Sequence, residues 1–408
     1  MNATTFDHVV LPNGLQVLGE RSPARSVAVG AMVDAGARDE VPADAGVSHF
    51  LEHLAFKGDG SRDAVALNRA FDALGARYNA FTSHERTFYY GAVLPEAALP
   101  LTDLVLSLLR PALAAEDVEV ERKVVLEEIA MYHDRPASRA FERASERFFA
   151  GHPLGASILG TAATVGSLTP DRVRAYHAER YAADKVVVVA TGAYDWPKLV
   201  DRVARATEGW SRVGAPRSYP TLAPRRGVEE ERVDGVARAH LTYHAPAPSA
   251  QDPERIAAAL LANVLGDEDN GRLFWALVEP GWVEDASLWY DAADGAGTFQ
   301  AYASTDDASL ERVAEAFDAV LDRFEAEGPT EAEWVRAQRG FATGLTLRAE
   351  TPMGRLAGLA DAWLDRREVE SAAESVDRVL ATSIDAGRAL LETRPFTARF
   401  RFALRPAL

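Results

Sequence analysis

The residues best equipped for chemistry are His49, Glu52 and His53, in the run HFLEH. Nine histidines serve 408 residues, and two of them stand four apart with a carboxylate between. On an α-helix, positions i, i+3 and i+4 share one face, so two imidazoles can grip one ion while Glu52 points at the same spot. Imidazole nitrogen suits zinc, whose catalytic sites take three protein ligands and leave a position for water. Two ligands are too few, so a third has to come from elsewhere. The same spacing also arises in surface networks and where a helix packs on its neighbours, so the motif alone leaves both readings open. His8, His84, His133, His152, His177, His240 and His244 have no such company. They read as structural or surface residues.

A helix expected over 116–133 can supply the missing ligand. Val120, Val124, Val125 and Ile129 form its expected core stripe. Glu121 and Glu128, two turns apart, share another face, and Glu127 points elsewhere. An acidic helix face is ordinarily just solvated. Beside an unfilled metal shell, Glu128 becomes a candidate ligand and Glu121 a partner that orients a histidine.

The elements around these residues read as α+β. FDHVVLPNGLQVLGE is two strands about an Asn-Gly turn, and SVAVGAMVDAG is a third strand. Residues 45–57 carry helical periodicity through Val47, Phe50, Leu51 and Leu54. A second helix starts on a Ser61 cap and stops at Gly75. Residues 79–94 follow as two strands, then helices over 96–110, 116–133, 138–150 and 170–181. DKVVVVATG is a buried strand, and a helix near 197–208 closes the half. Residues 209–230 are rich in Gly and Pro and contain the expected linker. The order of elements then restarts: strand, two helices, paired strands, long helices and a last strand in RPFTARFRFAL. The chain thus reads as two similar α/β-sandwich domains, each a mainly antiparallel sheet packed with helices. The expected boundaries are 1–212, a linker at 213–230, and 231–408.

Composition narrows the function. The chain holds 44 basic against 61 acidic residues, net −17, with no concentrated basic patch. That argues against a nucleic-acid binder. No apolar run is long enough to span a bilayer, so no membrane partner is expected. The N-terminus lacks a basic start followed by an apolar block, which argues against a signal peptide. The absence of cysteine excludes disulfides, thiol catalysis and Cys-ligated zinc, and fits a cytoplasmic protein.

HFLEH, followed beyond residues 54–127 by Glu128, resembles the inverted zinc motif H-x-x-E-H of the pitrilysin-type, or inverzincin, metallopeptidases. NAFTSHERTFYYGAVL is similar to that family's active-site edge strand, and ERKVVLEEIAMYHDRP to its distal-Glu helix. The block from HPLGASILG to VVVVATG resembles the end of its first domain. The length resembles the short two-domain branch, which includes the mitochondrial processing peptidase and bacterial relatives and works as dimers. The resemblance implies one Zn2+ per chain on His49, His53 and Glu128, with Glu52 as general base and Glu121 as supporting acid. It implies substrate contacts at Phe56 and along Asn79, Ala80 and Phe81. It also implies a clamshell that encloses short or unfolded polypeptides.

One departure stands out. Single-chain members carry an Arg and, a short way on, a Tyr in the second half that hold the substrate and its oxyanion. Here Phe299 and Asp306 fall at those places, and no Arg occurs between Leu273 and Glu311. Tyr302 reads as a core aromatic. The resemblance therefore implies a zinc subunit paired with a second polypeptide that supplies Arg and Tyr. The alternative is a peptide-binding or assembly subunit of the same fold.

Overall fold

The computed structural model describes residues 4–407. By contact the chain forms two compact units. The first holds residues up to Ala130, Ala156–Tyr219 and Leu347–Ser371; the second holds Met131–Gly155, Pro220–Thr346 and the residues from Ala372 on. The units therefore interleave along the sequence, where the sequence reading divides the chain at a single linker.

The first unit is built on six strands: β1 (Thr5–Val10), β2 (Gln16–Arg21), β3 (Val27–Val33), β4 (Arg77–Thr82), β5 (Thr87–Val93) and β6 (Val186–Gly192). Their order is β1-β2-β6-β3-β5-β4, antiparallel except for the β2–β6 pair. β3 and β6 are buried along their whole length, as runs of Val and Ala must be when both faces are covered. On one face, Val27, Val29, Ala31 and Val33 meet the helices α1 (Val47–Ala55), α2 (Ala64–Ala73), α3 (Ala98–Leu108) and α4 (Ala115–His133). On the other face, Ala28 and Met32 meet Leu356, Leu359 and Ala360 of the helix Pro352–Arg366.

The second unit has β7 (Gly227–Val233), β8 (Ala239–Ala247), β9 (Ala286–Ala293), β10 (Ala296–Thr305) and β11 (Phe400–Pro406), in the order β7-β11-β8-β10-β9. Only β7–β11 is parallel. With β1 set aside, this is the topology of the first sheet, with the parallel pair in the same place. The fold is thus the expected duplicated α+β arrangement. Leu241, Tyr243 and Ala245 pack beneath the helices Arg255–Gly266 and Leu310–Glu327. Phe400, Phe402 and Leu404 pack beneath α5 (Pro136–Phe148), through Ala140, Ala144 and Phe148.

Several local expectations shift. The cap of α2 is Asp63, whose side chain accepts from Ala66 N, and not Ser61, which donates to Asp59. β7 begins inside the expected linker. Its sequence GVEEERV hides an edge strand, because an edge can carry charge on its open side. Of the expected stripe of α4, Val125 and Ile129 are buried as expected, Val120 and Val124 are exposed, and Val118 takes a buried place. Tyr302 lies on the α5 side of its sheet, stacked on Phe141 and bonded to His240 Nδ1 at 2.7 Å, away from the core beneath Arg255–Gly266. Among the described residues no helix is long and apolar enough to cross a membrane.

Most histidines outside the motif are placed by packing or by backbone carbonyls, while His133 is exposed. His84 and His177 meet the carbonyls of Ala156 and Leu109, and the His8 ring lies tilted against Trp363 with centroids 4.3 Å apart. Burial pushes the pKa of His244 down to about 3 and that of His177 to about 4. Unfolded, each titrates near 6.5. Between those values the unfolded chain binds protons that the folded chain refuses, so stability falls as pH drops from about 6.5 toward 4. Each histidine contributes a slope of about 1.4 kcal/mol per pH unit. Urea denaturation between pH 4 and 7 should show a shallower slope for His244→Phe by about one proton's worth. An unchanged slope contradicts this account of His244.

Candidate metal centre

α1 enters through Gly46, which holds φ +95° and so favours glycine. A Cβ there would also meet Leu159 O at 2.5 Å. Glycine has no side chain to cap the helix, and Glu40 does so from outside. Its Oε2 accepts from Gly46 N and its Oε1 from Ser48 N, both at 2.7 Å. These bonds favour the carboxylate, but burial prevails and raises the Glu40 pKa to about 7. Ser48 is in turn bonded to Tyr176 Oη at 2.7 Å. The start of α1 is therefore fixed on both sides before the histidines are reached.

His49 and His53 then stand one turn apart on α1, with ring centroids 4.7 Å from each other. α4 runs alongside and brings two carboxylates. Glu128 Oε2 lies 3.6 Å from His49 Nε2 and 3.3 Å from His53 Nε2. Glu121 Oε2 lies 3.1 Å from His53 Nδ1. A carboxylate oxygen only accepts, so the proton of His53 sits on Nδ1 and its Nε2 lone pair faces Glu128. Burial, helped by the neighbouring His53, pushes the pKa of His49 down to about 4, so it is neutral at pH 7. One donor atom each from His49, His53 and Glu128 falls within 4.8 Å of the others. Acceptor atoms turned on one another repel unless a cation lies among them. Donors about 2.1 Å from a tetrahedral ion sit about 3.4 Å apart, close to the separations seen here. The three residues therefore fit a small divalent metal.

Glu52 lies on the same face of α1. Burial raises its pKa, against the opposing effect of a hydrogen bond from Thr82 Oγ1 at 2.6 Å. Glu127 is exposed and outside the cluster. β4 forms one border of the sheet, and among the described residues no strand pairs with its outer edge. The pleat turns Tyr78, Ala80 and Thr82 toward α1, and Arg77, Asn79 and Phe81 away. Accordingly Ala80 joins the core beneath α1, while Phe81 meets Phe88 and Tyr90 on the opposite face. The main chain of Asn79–Phe81 is thus available beside the cluster, whereas of their side chains only that of Ala80 faces it. Phe56 closes α1 and packs near Tyr78 and Tyr89.

The structure adds three residues that the motif does not announce: Glu40, Thr82 and Lys57. Lys57 Nζ sits 2.5 Å from Glu121 Oε1. Lys57 lies in the turn just past the end of α1, so helix periodicity does not place it. The partners of Glu40 and Thr82 have no local cue either. In the second half, Phe299 is buried against Tyr290 and Phe396, and Asp306 caps a short turn by accepting from Ser309 N.

Residues 16–162 match the model of insulinase (peptidase family M16), and residues 167–341 match the peptidase M16 inactive domain. An uncharacterized zinc protease of Streptomyces coelicolor is 33% identical over 96% of this chain and 88% of its own length. The crystal structure of a protease from Helicobacter pylori superposes with a TM-score of 0.89 at 19% identity, covering 99% of this chain and 100% of that one. A peptidase M16 inactive domain from Pseudomonas fluorescens gives 0.90 at 17% identity, covering 100% and 99%. The two solved structures carry the fold, and the family models with the Streptomyces relative carry the membership: the chain belongs to peptidase family M16.

Proposed function

We propose that this protein is a zinc-dependent endopeptidase of short or unfolded polypeptides, and that it is the zinc-bearing subunit of a dimer. The observation that carries the proposal is the convergence of His49, His53 and Glu128 on one point, with Glu52 beside them. The zinc-protease names of its relatives support the choice of metal. His49, His53 and Glu128 would hold one zinc per chain, and zinc there would supply Lewis-acid polarisation of a peptide carbonyl and a water of pKa about 7.

Glu52 takes the proton of the attacking water and later delivers it to the leaving amine. A carboxylate whose pKa is raised by burial suits both steps, because it releases its proton less readily than an exposed one. Glu121 holds the His53 ring in the tautomer that presents Nε2. The open edge of β4 accepts an extended peptide as an added strand, through main-chain hydrogen bonds that tolerate many sequences. Phe56 borders the scissile bond.

The second half supports a partner. Without an Arg between Leu273 and Glu311, and with Phe299 committed to the core, this chain offers no oxyanion donor at those positions. Such a donor is worth about 10²–10³ in rate. We assign the missing Arg and Tyr to a second, different subunit. Alone, the chain then binds peptides and turns them over slowly.

A quenched fluorescent peptide library tests the central reading. Glu52→Gln should lower hydrolysis by about 10²–10⁴-fold. A chelator should abolish hydrolysis and added zinc restore it. A Glu52→Gln variant as active as wild type rules the site out, and full protease rates from the chain alone rule the second subunit out. The Lys57–Glu121 pair gives a readout independent of turnover. Lys57→Met should weaken zinc binding by about 10–100-fold in competition with a chromogenic chelator, and Lys57→Arg should restore most of it. Equal affinity in Lys57→Met and wild type removes Lys57 from the metal centre.

A further inference from the structure

We infer that Thr82 is a positioning residue for Glu52, so that the strand which takes up the peptide also sets the place of the general base. The inference rests on the peptidase reading above and adds a residue to it.

Thr82 is the last residue of β4 and pairs with Thr87 across the β4–β5 hairpin. The pleat that turns Ala80 toward α1 turns Thr82 the same way. Its hydroxyl lies 2.6 Å from Glu52 Oε2, although the two residues are 30 apart in sequence. A carboxylate can only accept, so the hydroxyl donates. It is the one hydrogen bond made by the Glu52 side chain among the described residues, and Oε1 is left without a protein partner. A group that must take a proton from water and return it needs this asymmetry, with one oxygen held and the other free.

Threonine is suited to the holding. Its β-branch restricts χ1, so the hydroxyl direction follows from the backbone of the strand. The strand in turn is fixed by its ladder to β5, and β5 by its ladder to β3. Residues two apart on a strand are about 6.6 Å apart. A peptide paired along Asn79–Phe81 and a base held by Thr82 are therefore referenced to the same rigid element. Glu52 sits on α1, but its carboxylate is placed by β4. A shift of α1 relative to the edge strand then disturbs the base and the docked peptide together.

The test compares wild type, Thr82→Val and Thr82→Ser, all loaded with zinc, on one quenched fluorescent peptide, with Glu52→Gln as the reference. Valine keeps the shape and removes the hydroxyl; Thr82→Ala serves as a second hydroxyl-free variant if valine lowers the thermal midpoint. Thr82→Val should lower kcat by about 10–100-fold, the range for losing a hydrogen bond to a charged group, with KM and zinc affinity within about twofold. Thr82→Ser should recover kcat to within about threefold, because it restores the donor alone. A Thr82→Val enzyme with wild-type kcat overturns the inference, as does a serine variant no better than valine. A change in KM alone also overturns it, because Thr82 would then act on peptide docking. Wild-type chain with no hydrolysis sensitive to Glu52→Gln overturns the peptidase reading and this inference with it. The wild-type and Glu52→Gln measurements tell that outcome from failure of Thr82 alone.

Discussion

Glu121 is a carboxylate only 3% exposed, and a charge buried that deeply has to be partnered. Its two oxygens are divided between His53 Nδ1 and Lys57 Nζ, both supplied by α1 or the residues just past it. That division ties α4 to α1 and sets the roll of α4 about its axis. Arg122, the next residue, reaches the other way and donates to the carbonyls of Val165 and Leu168. With the roll fixed at Glu121, Glu128 two turns later faces the same neighbour. Removing either partner would leave the buried Glu121 carboxylate under-compensated, so the orientation of Glu128, the candidate third ligand, is tied to these contacts.

This explains what the sequence reveals and what it conceals. His49, Glu52 and His53 are legible because their relation is local: a helix places i, i+3 and i+4 on one face whatever surrounds it. Glu128 is legible through its two-turn spacing from Glu121. The valines of α4 mislead, because a tract with Val at 118, 120, 124 and 125 fits more than one apolar stripe. The buried line runs through Val118, Glu121, Val125 and Ile129, and the polar member in it is the one that reaches α1. Glu40 and Thr82 are concealed for the opposite reason. Each acts on α1 through a contact made only once the chain has folded, and neither carries a periodic signal. The interleaving of the units is concealed as well, since α5 and Pro352–Arg366 look like ordinary amphipathic helices until the sheet beneath each is known.

The duplication shows how little of the fold the candidate site needs. The two sheets share one strand order and one parallel pair, and in each the second core strand leads into a helix: α1 after β3, Arg255–Gly266 after β8. In the second unit that helix buries Ala257, Ala258, Leu260, Leu261 and Val264, all apolar. In the first it buries Phe50, Leu51 and Leu54 on one side and turns His49, Glu52 and His53 to the other. The same packing is satisfied in both, so the cluster of His49, Glu52 and His53 is an addition to a stable design. Its polar groups are compensated by Glu40, Glu121, Lys57 and Thr82, none of which has to disturb the sheet.

An unpaired edge strand is ordinarily a liability, because its free N–H and C=O groups recruit other chains. β7 meets that hazard with charge, in GVEEERV. β4, with RYNAFT, has a single charged residue and an aromatic ring on its exposed face. Its inward residues are committed: Tyr78 stacks on Phe71 at 4.0 Å, Ala80 is core, and Thr82 holds Glu52. The edge is therefore rigid and open, and it lies beside the converging His49, His53 and Glu128, the candidate metal donors. A rigid edge loses little entropy when a strand is added to it, and added strands of any sequence present a carbonyl at each residue. A strand fixed on its inner face and unprotected on its outer one is what the proposed action on peptide main chain would require. On the proposed reading, the hazard of the open edge and a tolerance for many peptide sequences have the same structural origin.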